Sequence, residues 1–142
     1  MDEKEVSIKK YGSEFVQSYE LGRYIKSQTN HCETIFVWGF NPGIYYYSKR
    51  DSASNVYSTY FSLYLNYQLR QGKPPALLKR KTQLMRDIRS TPPSFIIWNN
   101  NHGVIVNNIL YNFIKDNFRF VTKKHDKYEI WEYKFRQKMK KC

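Results

Sequence analysis

Two short stretches of this chain are apolar at every position, Ile35-Phe36-Val37-Trp38 and Phe95-Ile96-Ile97-Trp98. Continuous apolar runs of that length mark strands buried on both faces, as in parallel sheets. Around them the period becomes helical. Phe15, Tyr19, Gly22 and Ile25 are spaced for a helix over Phe15–Gln28, with Ser13 as its N-cap, Glu14 in the first turn and Phe15, Val16, Tyr19 and Ile25 facing the core. Ala76–Arg89 gathers Leu77, Leu78, Leu84, Met85 and Ile88 on one side and cations on the other, and Val104–Asn117 runs Ile105, Ile109, Phe113 and Val106, Leu110, Ile114 in i,i+4 rows. Val56–Tyr60 reads as a further strand and Phe61–Leu69 as a helix, closed by Gln71-Gly72-Lys73-Pro74-Pro75. The end alternates: Phe118, Phe120 (with Val121), then Tyr128, Ile130 and Tyr133, around the polar turn Lys123–Lys127. That pattern predicts a hairpin with one face buried.

Apolar strands alternating with helices, followed by a hairpin, predict an α/β fold. The expected form is a three-layer sandwich whose mixed sheet has a parallel centre and a C-terminal antiparallel hairpin. At 142 residues one domain is expected, over 13–135, between a charged lead-in at 1–12 and a basic tail at 136–142. No apolar run reaches the roughly 18 residues that a membrane-spanning helix needs. The charged start Met1-Asp2-Glu3-Lys4-Glu5 lacks the apolar core of a signal peptide.

The net charge of +12 widens the functional choice. Lys79-Arg80-Lys81 with Arg86 and Arg89, and the tail cations Lys134, Arg136, Lys138, Lys140 and Lys141, could neutralise nucleic-acid phosphates or anionic lipid headgroups. A solvated lysine-rich surface accounts for them equally well. No helix-turn-helix, zinc-finger or aromatic RNA-binding signature accompanies the charge, so no specific nucleic acid is expected. Cys32 and Cys142 have neither metal spacing nor a CxxC motif, and a disulfide between them is not expected.

Parallel strands present ligands at their carboxyl ends. Here those ends are Gly39-Phe40-Asn41-Pro42-Gly43 and Asn99-Asn100-Asn101-His102-Gly103, so Asn41, Asn99, His102 and the nearby Tyr45 would share one edge as a polar pocket suited to a sugar. Turn-building explains the same Asn and Gly residues without any ligand. Arg50 either holds its loop through backbone carbonyls, the favoured reading, or meets a phosphate or carboxylate. Phosphate-loop and dinucleotide motifs, a nucleophile elbow and paired histidines are all absent from the sequence. No catalytic residue, metal or cofactor is therefore expected, and Glu20 and Glu33 read as solvated or capping groups.

The segment Val37-Trp38-Gly39-Phe40-Asn41-Pro42-Gly43-Ile44-Tyr45, continued by Ser48, Arg50 and Ala53-Ser54, resembles the soluble C-terminal domain of bacterial integral-membrane glycosyltransferases. These belong to the dolichyl-phosphate-mannose–protein mannosyltransferase family, of GT-C type. Thr91-Pro92-Pro93-Ser94-Phe95-Ile96-Ile97-Trp98 is similar to the start of a later strand in that family, and the likeness spans Phe15 to Tyr133. Asn55 stands where the family has arginine after its Ala-Ser pair. The resemblance implies an enzyme of which this chain is an inactive extracytoplasmic part. The catalytic loop would lie among upstream membrane helices absent from this chain, and the donor would be a polyprenyl-phosphate sugar. Partners would be that membrane domain, an acceptor glycan or lipid, and an anionic membrane surface. The alternative is a free-standing basic α/β module that binds nucleic acid or an acidic partner.

Overall fold

The computed structural model describes residues 12–39, 41–55, 78–100 and 108–138, with Asp2, Glu5, Val6 and Lys9 ahead of them. The elements are α1 (Ser13–Gln28), β1 (Ile35–Trp38), α2 (Gly43–Ser48), α3 (Leu78–Ser90), β2 (Phe95–Asn99), α4 (Asn108–Asn117), β3 (Phe118–Lys124) and β4 (Tyr128–Tyr133), followed by a 3-10 turn at Arg136–Lys138. The strand expected at Val56–Tyr60 and the helix expected at Phe61–Leu69 lie outside the described residues, as do the side chains of Leu77 and Leu78.

The four strands form one mixed sheet in the order β1-β2-β4-β3. β1 and β2 are parallel, with Ile35 opposite Phe95 and Trp38 opposite Trp98; β4 is antiparallel to both β2 and β3. Residues 51–53 continue the parallel pairing on the side of β1 away from β2: Ile35 N–H donates to the Asp51 carbonyl and Ala53 N–H to that of Ile35.

Because side chains alternate along a strand, each uniformly apolar run supplies both faces of the sheet. Ile35, Val37, Phe95 and Ile97 meet Leu21 and Ile25 of α1 and Ile44 of α2. Phe36, Trp38, Ile96 and Trp98 meet Leu84, Met85 and Ile88 of α3 and Leu110 and Ile114 of α4. Helices on both sheet faces make the three-layer α/β sandwich.

Three local expectations change. Gly12, at φ 88°, precedes the first residue of α1, and no side chain caps the helix there. Ser13 is already inside the helix, because the chain enters through a backbone conformation that favours glycine. Tyr19 is 40 % exposed while Leu21 is fully buried. The face of α1 that meets the sheet is Val16, Ser18, Leu21, Gly22 and Ile25. Small residues are needed there because α2 lies so close: a Cβ on Gly22 would sit 2.4 Å from that of Tyr47. The hairpin is not buried on one face throughout. Phe120 and Val121 are exposed at the register shift of β3, where the extra residue breaks the alternation.

Cys32 is disulfide-bonded, which the sequence did not lead us to expect, and Cys142 lies outside the described residues. Sequence spacing says nothing about which loops tertiary folding brings together. The same loop is gripped by Arg136, which donates from Nε and Nη2 to the Glu33 carboxylate at 3.0 Å each and from Nη1 to Glu132 at 3.0 Å. Its guanidinium lies 5.0 Å from the centre of the Phe95 ring. The packed part of the chain thus reaches Arg136.

Candidate functional site

Of the residues expected as ligand contacts, Asn41, Tyr45, Arg50 and Asn99 are described, and Tyr45 and Arg50 line one cleft together. Asn41, at the carboxyl end of β1, is buried, and its side chain is engaged on both sides. Oδ1 accepts from Ser18 Oγ of α1, and Nδ2 donates to the Tyr128 hydroxyl of β4 at 2.9 Å. Burial pushes the Tyr128 phenol above its usual range, against the lowering effect of the Asn41 bond. Asn99, also buried, ends β2 beside Gly39, where φ is 133° and an added Cβ would lie 2.7 Å from that of Asn99. His102 lies outside the described residues.

Tyr45 and Arg50 lie on the α2 side of the sheet and line the same cleft. The Tyr45 hydroxyl accepts from Val37 N–H at 2.8 Å and lies 3.3 Å from Ser52 Oγ, so it joins β1 to the strand-like segment beside it. Arg50 is buried against the C-terminus of α1. Nε donates to Thr29 Oγ1 at 2.8 Å, and Nη2 donates to the Thr29 carbonyl at 2.9 Å and to that of Lys26 at 3.5 Å. Nη1 donates to the Lys49 carbonyl at 3.1 Å. Thr29 Oγ1 in turn donates to the Ile25 carbonyl at 2.7 Å, so the last turn of α1 is closed by a hydroxyl and a guanidinium together.

Among the described residues every acceptor of an Arg50 hydrogen bond is neutral, and no carboxylate there pairs with it, although it is only 8 % exposed. Buried cations ordinarily have a counter-ion. This one instead forms part of the lining of an open cleft of about 1000 Å³ between α1 and α2.

The cleft was not anticipated from sequence. Its other walls include Tyr19, Arg23 and Lys26 of α1, and Tyr46 and Lys49 at the end of α2. Among the described residues four cations line it against one carboxylate, that of Asp51. Arg23 Nη1 donates to the Tyr19 hydroxyl at 2.8 Å, and its guanidinium lies 5.6 Å from the Tyr19 ring centre. Tyr19 and Tyr46 both meet the Tyr47 ring edge-on, at 5.3 and 5.0 Å. Tyr46 is 75 % exposed. The available signal was the spacing itself: Tyr19, Arg23 and Lys26 recur at i,i+4 and i,i+3, forming a polar stripe adjacent to the apolar one.

Lys49 occupies the C-cap of α2 at φ 55°, ψ 42°, a left-handed conformation in which glycine is the usual residue. Among the described residues no ion pair involves Arg23, Lys26 or Lys49. Lys127 pairs with Glu14, Arg119 with Glu132, and Arg136 with two carboxylates.

Among the described residues no three His, Cys, Asp or Glu side chains gather as metal ligands, and no helix is long and apolar enough to cross a membrane. Comparison with protein-family models, curated proteins and solved structures gave no match to this chain.

Proposed function

We propose that this chain is a non-catalytic extracytoplasmic domain of a polytopic bacterial glycosyltransferase. The parent would take its sugar from a polyprenyl-phosphate carrier, and this domain would cap the membrane part or hold the acceptor. The observation that carries the reading is the engagement of the motif from Val37 to Ser54 in the fold. Asn41 ties α1 to β4, and Gly43 meets Ser18. Arg50 closes α1, Ala53 pairs with Ile35, and Ser54 Oγ donates to Asp87 Oδ2 of α3 at 2.8 Å. A motif whose members each secure a different element is the kind of signature that a family of domains would share. The disulfide at Cys32 fits an oxidising compartment, as an extracytoplasmic domain requires.

The coding sequence around this segment tests the reading: a series of membrane helices in frame upstream is the expected result. A free-standing short gene would instead favour a basic module that binds nucleic acid or an acidic partner. That second reading draws on the net charge of +12. The pairing of Lys127, Arg119 and Arg136 with carboxylates weakens it, because those cations are not wholly available to a phosphate backbone.

A further inference from the structure

We propose that the cleft between α1 and α2 binds an anionic saccharide, a run of sugar rings carrying phosphate or carboxylate groups. The site depends on the domain being a recognition part, as in the proposed function, but not on the identity of the parent enzyme.

Three observations support this ligand class. First, Arg50 is a buried guanidinium whose hydrogen bonds among the described residues all run to neutral acceptors, and no carboxylate there pairs with it. Arg23, Lys26 and Lys49 surround the same space without carboxylate partners among the described residues. A neutral or apolar ligand would desolvate these cations without compensation, whereas phosphate or carboxylate oxygens would accept charge-assisted hydrogen bonds from them.

Second, the tyrosines offer an aromatic surface on which a sugar ring can rest. Tyr19 and Tyr46 both stand edge-on to Tyr47. Tyr46 presents one exposed ring. The C–H groups of a sugar face can rest on such a ring, because they carry partial positive charge and the ring face is negative. An open cleft also suits a chain that passes through more than a small molecule that must be enclosed.

Third, Lys49 holds a backbone conformation that costs a non-glycine residue stability. Lysine at that position gives up local stability and keeps a cation at the rim. The α2 helix dipole favours a positive group there, but glycine would meet the backbone requirement more simply.

The test is calorimetric and NMR titration of the full chain with oligogalacturonate and with a phosphomannan oligosaccharide. A neutral maltooligosaccharide, inorganic phosphate and single-stranded DNA of matched length serve as comparisons. One or both charged saccharides should bind and shift the amide signals of Arg23, Tyr46 and Lys49, while the neutral sugar does not. Arg23→Ala and Tyr46→Ala, both at exposed positions, should each weaken binding by about tenfold. Lys49→Gly separates structure from recognition: thermal stability should rise while affinity falls.

Failure of both charged saccharides to bind would overturn the proposal. Unchanged affinity in Lys49→Gly, or equal binding of inorganic phosphate, would do the same. DNA binding as tight through the same residues would transfer the site to nucleic acid. A reading frame without membrane helices would remove the parent enzyme yet leave these titrations unaffected, so the two failures are distinguishable.

Discussion

Trp38 and Trp98 stack across the parallel pair, with ring centres 5.3 Å apart and planes 13° from parallel. They are direct register partners at the ends of β1 and β2, and both are fully buried. Each indole fills the space between the sheet and helices α3 and α4, so losing one leaves a cavity that its stacked neighbour cannot fill. Trp38→Ala should destabilise the fold by about 3–5 kcal/mol in urea or guanidinium titrations. A loss below about 1 kcal/mol would contradict this packing.

Gly22→Ala pits two effects of opposite sign against each other. Helix propensity alone would stabilise α1 by about 1 kcal/mol. The new methyl group would, however, meet the Tyr47 Cβ at 2.4 Å and the Ser48 backbone nitrogen at 2.9 Å. Overpacking between two helices should win, giving a net loss of about 1–3 kcal/mol. A stabilised variant would show that α1 and α2 do not pack this closely.

Arg50→Lys tests whether geometry or charge matters at the end of α1. Lysine keeps the charge but cannot span the Thr29 hydroxyl, the Thr29 carbonyl and the Lys49 carbonyl from one planar fork. The expected cost is about 2–3 kcal/mol by chemical denaturation. Faster amide exchange at the C-terminus of α1 should accompany it. Wild-type stability in this variant would mean that those bonds contribute little.

Acid stability should depend on Glu33. Burial by itself would raise its carboxyl, but hydrogen bonds from Arg136 and from Asn30 N–H, with the Arg136 charge, bring it below the ordinary 4.5. The unfolded chain therefore binds this proton more readily. The stabilisation is complete above about pH 4.5 and fades as pH falls through the lowered folded value. Arg136→Leu should lose most at neutral pH and flatten the acid limb, so that the two proteins converge under acid. Urea midpoints measured from about pH 6 to about pH 3 check the sign.

Cys32 should resist alkylation by iodoacetamide until a reductant is added, because its thiol is tied up in a disulfide. Mass spectrometry of the tryptic peptide reads this directly. Full labelling of the native, unreduced chain would show the bond to be absent.

The sequence by itself determined the sheet and its layers. Two four-residue apolar runs can be satisfied only by burial on both faces, and the i,i+4 rows around Leu84–Ile88 and Leu110–Ile114 supply one of the covering layers. Such patterns are legible because hydrophobic burial acts through local periodicity, which survives in a linear string. It also showed that the hairpin would follow, since alternation around a polar turn is a local property.

The cleft was decided by tertiary structure alone. Tyr19 looked like a core residue because it falls on the helical period with Phe15, yet the face of α1 against the sheet is set by how closely α2 packs at Gly22. Once that contact fixes the rotation of α1, Tyr19, Arg23 and Lys26 turn toward Tyr46 and Lys49 and open the charged space between the helices. Arg50 likewise lies 21 residues from Thr29 along the chain, and Arg136 lies 103 from Glu33. Directional hydrogen bonds between such distant residues leave no periodic trace, so only the folded chain shows which cations are neutralised and which remain open to a ligand.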